Sequence, residues 1–189
     1  MEIKLTQEDL LFLENNYPSL KYDSVKNVIY GILYFDLLYP NVESIHIQDE
    51  YQLEIVLNQL IENVLPIVRE TGGRIKNIAT DKSLKLIDLH INENSELCII
   101  IPPKIKEKYP NGFCLRTLIG HLQEHFYWIS YFEKFGRGPW PAYSHGDLGY
   151  WDLYDEDPKK YTEFLRRKFN YSRTGFREIL RKRKKTKLK

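Results

Sequence analysis

Hydrophobic positions along this chain repeat first at helical spacing, then at alternate residues, then at helical spacing again. Thr6 suits the N-cap of a short helix from Gln7 to about Asn15, with Leu10, Leu11 and Leu13 on its apolar side. The turn at Asn16, Tyr17 and Pro18 ends it. Three β-branched or aromatic runs follow at 28–35, 43–48 and 51–57, close enough together to predict an antiparallel meander. Tyr51, Leu53, Ile55 and Leu57 alternate with Gln52 and Glu54, which gives the last strand one wet face. Gly31 interrupts the first run and marks a bulge or a close backbone approach.

Residues 63–75 carry no clear period. An apolar run, Pro66 and the pair Gly72 and Gly73 predict an irregular segment with a tight turn. His90 and Cys98 then fall on a mostly extended path to Pro102 and Pro103. The strongest periodic signal comes next. Leu115, Leu118, Ile119, Leu122, Phe126, Ile129 and Phe132 step by three or four, as one face of a long helix that Gly136 ends. Residues 140–151 read as an aromatic, glycine-rich loop that packs back on the protein or recognises a partner. Pro158 opens a further helix through Tyr161, Phe164 and Leu165 to Phe169, and a second helical piece covers 174–184. No internal repeat is present.

With 189 residues, 42% of them hydrophobic, the chain can bury one proper core. The expected organisation is a domain over 1–157 and a helical extension with a basic tail over 158–189. Two cysteines and no signal peptide predict a reducing, cytoplasmic setting. No apolar run approaches the roughly 20 residues that span a bilayer, so no membrane partner is expected. The formal charge of +2 conceals a division. Residues 161–189 hold 12 Lys or Arg against 2 Glu, a net +10, which leaves −8 on everything before them. The basic run from Arg181 to Lys189 suits a weak contact with nucleic acid or another acidic partner, or simply a solvated helix end.

Two patterns carry candidate chemistry. The first runs from His90 through Asn92 to Cys98: a thiol at the edge of the apolar run Ile99, Ile100, Ile101, with an amide side chain close by. A thiolate there can attack a carbonyl while the amide steadies the oxyanion; the alternative is a cysteine that only packs. The second is His121, Glu124 and His125, the H-x-x-E-H order of inverted zinc peptidases. Zinc needs a third protein ligand, and His121 lies off the apolar stripe that His125 borders, so no metal or cofactor is expected. Cys114, just before the long helix, is a rival nucleophile by virtue of the helix dipole, although Phe113 and Leu115 on either side predict burial.

The order of these elements resembles the ubiquitin-conjugating-enzyme fold, shared with the non-catalytic RWD domains. The likeness covers about residues 5 to 135: a first helix, a β-meander, an irregular proline-containing segment, a histidine–asparagine element, a cysteine and a long helix. His90, Ile91 and Asn92 align with the family's His-Pro-Asn, with Ile91 in place of proline and a shorter path to the cysteine. Leu97, Cys98 and Ile99 align with the cysteine element. The block after Gly136, with its glycines, Trp140 and the His145 segment, is similar to the ending of stand-alone bacterial homologues from ubiquitin-like conjugation and antiphage operons. The resemblance implies an α+β fold with an antiparallel meander flanked by helices. It implies that Cys98 takes an acyl group from an adenylating, activating enzyme and passes it to a lysine amine. The acyl donor would be a ubiquitin-like protein or the C-terminus of a nucleotidyltransferase. Asn92 would support the loop or the oxyanion, and His90 would tie the loop together. His145, in a polar glycine-rich setting, is a further candidate acid or base. A non-catalytic interaction module, in which Cys98 is only core, is the other outcome compatible with the pattern.

Overall fold

Alternation of apolar and polar residues builds the sheet. The computed structural model describes residues 2–39 and 45–187, with the backbone alone for the last four. Strands β1 (Leu20–Asp23), β2 (Val28–Tyr39), β3 (Ile45–Ile61) and β4 (Leu65–Glu70) form a four-stranded antiparallel sheet in the order β1-β2-β3-β4, a simple meander. Ile29, Leu33 and Phe35 of β2, with Tyr51, Leu53, Ile55 and Leu57 of β3, are buried on its inner face.

The two expected strands at 43–48 and 51–57 are one continuous strand, β3, in the part that is described; Glu43 and Ser44 lie outside the described residues. Asp49 and Glu50 do not break it, because they pair with Phe35 and Tyr34 across the ladder. Asp49 is also held by the Arg74 guanidinium. Gly31 has φ +133°, and a Cβ there would meet the Ser19 carbonyl oxygen at 2.1 Å, so the close backbone approach admits only glycine.

The stretch expected to be irregular holds two regular elements. β4 accommodates Pro66 opposite Leu60, beside a register shift between Val56 and Leu60. Gly73, at φ +75°, then turns the chain into α2 (Arg74–Asp81). Ile75, Ile78 and Ala79 of α2 are buried at helical spacing. The Glu70 carboxylate, itself buried, accepts the Arg74 N–H at 3.3 Å and so covers the helix start. Burial raises the pKa of Glu70 in spite of these backbone hydrogen bonds.

The helical expectations rest on local signals and match the structure closely. Thr6 caps α1 (Gln7–Asn16) in a reciprocal box with Asp9. A 3₁₀ turn over Leu86–Leu89 and the short α3 (Ile105–Lys108) lead to α4 (Leu115–Phe135), which packs against β2, β3 and α1. Leu115, Leu118, Ile119, Leu122, Phe126 and Ile129 are fully buried, as their spacing predicts. Tyr51 stacks on Phe126 at 4.2 Å between ring centres and shares a hydrogen bond of 2.9 Å with Ser130. Gly136, at φ +70°, ends the helix with its N–H on the Phe132 carbonyl.

The chain divides into two compact units, Met1–Ala142 and Tyr143–Lys189. The second is all helix: α5 (Asp147–Glu156), α6 (Pro158–Lys168) and α7 (Arg173–Lys187). Much of the stretch expected to be an aromatic loop therefore belongs to α5. Trp151 stacks on Phe169 and Phe176 at about 6 Å, and Tyr150 lies against Phe164. Asp157 caps α6 with Pro158 at its first position, as the sequence suggests. No helix among the described residues is long and apolar enough to cross a membrane.

Candidate functional site

Residues 90–98 form a tight, hairpin-like loop, not an extended path. The Leu86–Leu89 turn ends at His90, which takes the left-handed conformation at φ +56°. That conformation is disfavoured by roughly 1–2 kcal/mol for a residue with a Cβ, so neighbouring contacts must hold it. The His90 carbonyl accepts the Cys98 N–H at 2.7 Å, and its own N–H reaches the Ile87 carbonyl. Ile91 bridges Leu97, with both side chains buried, and the Asn92 N–H donates to the Glu96 carbonyl at 2.9 Å. Outside the loop, Leu97 donates to Val68 of β4 and Glu70 donates to the Ser95 carbonyl. Arg69 joins the two segments through Glu96 at 3.0 Å. The loop is therefore fastened along β4 by backbone and side chains together.

This arrangement brings His90, Asn92 and Cys98 together. The Cys98 Sγ lies 3.6 Å from the Asn92 Oδ1, within reach of an S–H donor. Asn92 is exposed and Cys98 half-buried. Rotation of the amide about its last torsion would present N–H in place of oxygen to the sulfur or to a bound oxyanion. Burial raises the Cys98 pKa above the ordinary thiol value, and the charge of Glu96 raises it further. The His90 ring meets Trp128 at 5.2 Å and His125 at 6.0 Å, both edge-on. Trp128 is in turn fixed by its indole N–H on the Trp140 carbonyl and by Gly138, where a Cβ would come within 2.7 Å of the indole. The glycine after the long helix thus makes room for the ring that supports the loop. His145 belongs to the second unit, just before the Gly146 that precedes α5.

The histidines of the H-x-x-E-H order are engaged in packing. His121 Nδ1 and the Tyr109 hydroxyl are 3.2 Å apart. Burial, reinforced by Lys108, lowers the His121 pKa to about 4. His125 Nε2 is buried without a hydrogen-bond partner among the described residues, and burial holds the ring neutral, far below the usual histidine range. Glu124 is bonded to Lys108 at 3.2 Å. Among the described residues no three His, Cys, Asp or Glu side chains converge as metal ligands would.

Cys114 departs from expectation. It is exposed, not buried, and occupies the N-cap of α4. The side chain and backbone N–H of Thr117 lower its pKa, so it is the more acidic of the two thiols. The apolar neighbours do not bury it: Leu115 is buried and Phe113 packs against the core, while the N-cap between them stays at the surface. Its place before the helical stripe was the legible signal. No family model, no curated protein and no solved structure matches this chain.

Proposed function

We propose that the chain is an acyl carrier of the ubiquitin-conjugating-enzyme type, working through Cys98. The observation that carries this reading is the Cys98 loop itself: a half-buried thiol 3.6 Å from an exposed amide side chain, on a loop pinned to β4 by two backbone hydrogen bonds and the Arg69–Glu96 pair. The α+β architecture with an antiparallel meander is compatible with that family.

In the first step the Cys98 thiol gives up its proton and the sulfur attacks the thioester carbonyl on an activating enzyme. A new carbon–sulfur bond forms, and the donor's sulfur leaves as thiolate. In the second step a lysine amine attacks the same carbon. The carbon–nitrogen bond forms, the Cys98 sulfur departs and takes up a proton. A thiol of raised pKa is compatible with this exchange, because a docked donor replaces intrinsic acidity with proximity. A protonated Cys98 is also protected from stray electrophiles between cycles. Asn92 is the group placed to donate to the tetrahedral oxyanion. The acyl group would be a ubiquitin-like protein or a nucleotidyltransferase C-terminus, in an antiphage setting.

The test supplies the chain with an adenylating, activating enzyme and its acyl donor, either a ubiquitin-like protein or a nucleotidyltransferase C-terminus. The wild-type protein should form an adduct that reductant removes and that maps to Cys98. Cys98→Ser should form an ester adduct that survives reductant, and Cys114→Ser should behave as wild type. An adduct on Cys114, or none with Cys98 accessible to alkylation, would overturn the proposal.

A further inference from the structure

Three arginines of the last helix lie in an arrangement that no other described residue uses. On α7, Phe176 is buried against Trp151, and Arg183 lies over the same indole at 4.8 Å while pairing with Asp155 through two bonds of 2.8 Å. That face is closed by packing, and its arginine is neutralised. Arg173, Arg177 and Arg181 lie elsewhere on the helix, exposed, and none makes an ion pair or hydrogen bond with another described residue. They recur every four residues, so successive Cα positions are about 6 Å apart along the helix axis, on one edge.

Helix stability does not account for this edge. Like charges at i, i+4 oppose helix formation. Cations favour the C-terminal end of a helix, yet Arg173 is the first residue of α7 and Arg177 lies in its first half. Glu178 is the one acidic residue in the helix. A row of unneutralised arginines at regular spacing is complementary to a row of phosphates. A lipid surface fits less well, because an interfacial helix must insert an apolar face and here Phe176 is already covered. The aromatic rings of this unit stack on one another, which leaves charge, and not base stacking, as the means of contact.

We propose that the edge of α7 formed by Arg173, Arg177 and Arg181 binds the phosphate backbone of a nucleic-acid duplex without reading its sequence. The contact is electrostatic, and each arginine displaces about one condensed counterion. It stands independently of the Cys98 chemistry.

Fluorescence anisotropy of the full chain with a labelled 20-bp duplex of mixed sequence, from 50 to 200 mM salt, tests it. Binding should be tight enough to measure at low salt and equal for two unrelated sequences. The R173Q/R177Q/R181Q variant should bind at least tenfold more weakly, and its slope of log K against log salt should be shallower by about 2.7, for three phosphates. R173K/R177K/R181K should keep most of the slope. Should the glutamine variant prove unfolded by circular dichroism, protection of the three arginines in the wild type from phenylglyoxal by the duplex gives the same answer. Absence of binding at 50 mM salt, an unchanged slope in the glutamine variant, or no protection would overturn the proposal. So would tighter binding to phosphatidylserine vesicles or to polyglutamate than to the duplex.

Discussion

Cys98 and Cys114 have much the same neighbours in sequence, Leu97 and Ile99 around one, Phe113 and Leu115 around the other, yet their thiols meet opposite environments. Cys98 sits half-buried on a loop fastened to β4, where burial and Glu96 keep it protonated. Cys114 stands exposed at a helix start, where Thr117 favours the thiolate. Flanking hydropathy is therefore a poor guide to thiol chemistry. What decides it is whether the chain next turns into a helix, which offers free N–H groups, or closes a hairpin, which has already used them. The comparison also separates two kinds of reactivity: acidity suits small electrophiles, whereas a held but unactivated thiol suits a large donor that brings its own orientation.

The widest separation is expected in acyl transfer. Cys98→Ser should abolish the reductant-sensitive adduct entirely, and Cys114→Ser should leave its rate within about twofold, the scale of change that lies below 0.5 kcal/mol. With iodoacetamide at pH 7 the order should invert: mass spectrometry should find Cys114 alkylated several-fold faster than Cys98. Equal rates would dissolve the contrast.

Trp128 tests how far the Cys98 environment depends on packing. Trp128→Ala removes the ring between His90 and Gly138, and chemical denaturation should show a loss of about 2–3 kcal/mol, somewhat below the range for a fully buried aromatic. Cys98 alkylation should accelerate in the folded variant while Cys114 stays unchanged. Acid should loosen the same region. His121 and His125 have folded pKa values below the unfolded value, so below pH 6.5 the unfolded state binds more protons and stability falls as pH falls. Each histidine steepens the fall by up to about 1.4 kcal/mol per pH unit. For His121 the loss is complete near its folded pKa of about 4. Glu70 acts in the opposite sense, since its raised pKa favours the folded state as it takes up a proton. His121→Gln should flatten the slope of stability against pH between 6.5 and 4, measured by urea unfolding. The smallest effect is that of Glu96→Gln, which should move the pH dependence of Cys98 alkylation slightly downward, because burial outranks that charge.

The elements legible in the sequence are those whose signals are local. The stripe from Leu115 to Ile129, the Thr6 cap, the Gly136 stop and the Pro158 start each depend on residues within a few turns of one another. β4 and α2 were hidden by Pro66 and the two glycines, which read as an irregular segment with a tight turn until Leu60 and Glu70 supply their partners. α5 was hidden among glycines and aromatics because Trp151 and Tyr150 gain their meaning from Phe169, Phe176 and Phe164. Of the candidate site, the proximity of Asn92 and Cys98 was readable, but the left-handed turn at His90 was not, since its contacts include the Cys98 N–H and the distant Trp128 and His125 rings.

By itself the sequence determined the alternation that makes a meander, the long helix behind it and the charge division between body and tail, all consequences of period and composition along a contiguous chain. Tertiary structure alone decided which thiol is the more acidic, which histidines are neutral and which arginines of α7 pair with another described residue. Those properties depend on dielectric, charge and hydrogen-bond partners contributed by residues distant in sequence, such as Trp128 and Val68 for the Cys98 loop and Asp155 for Arg183, that come together only once the chain has folded.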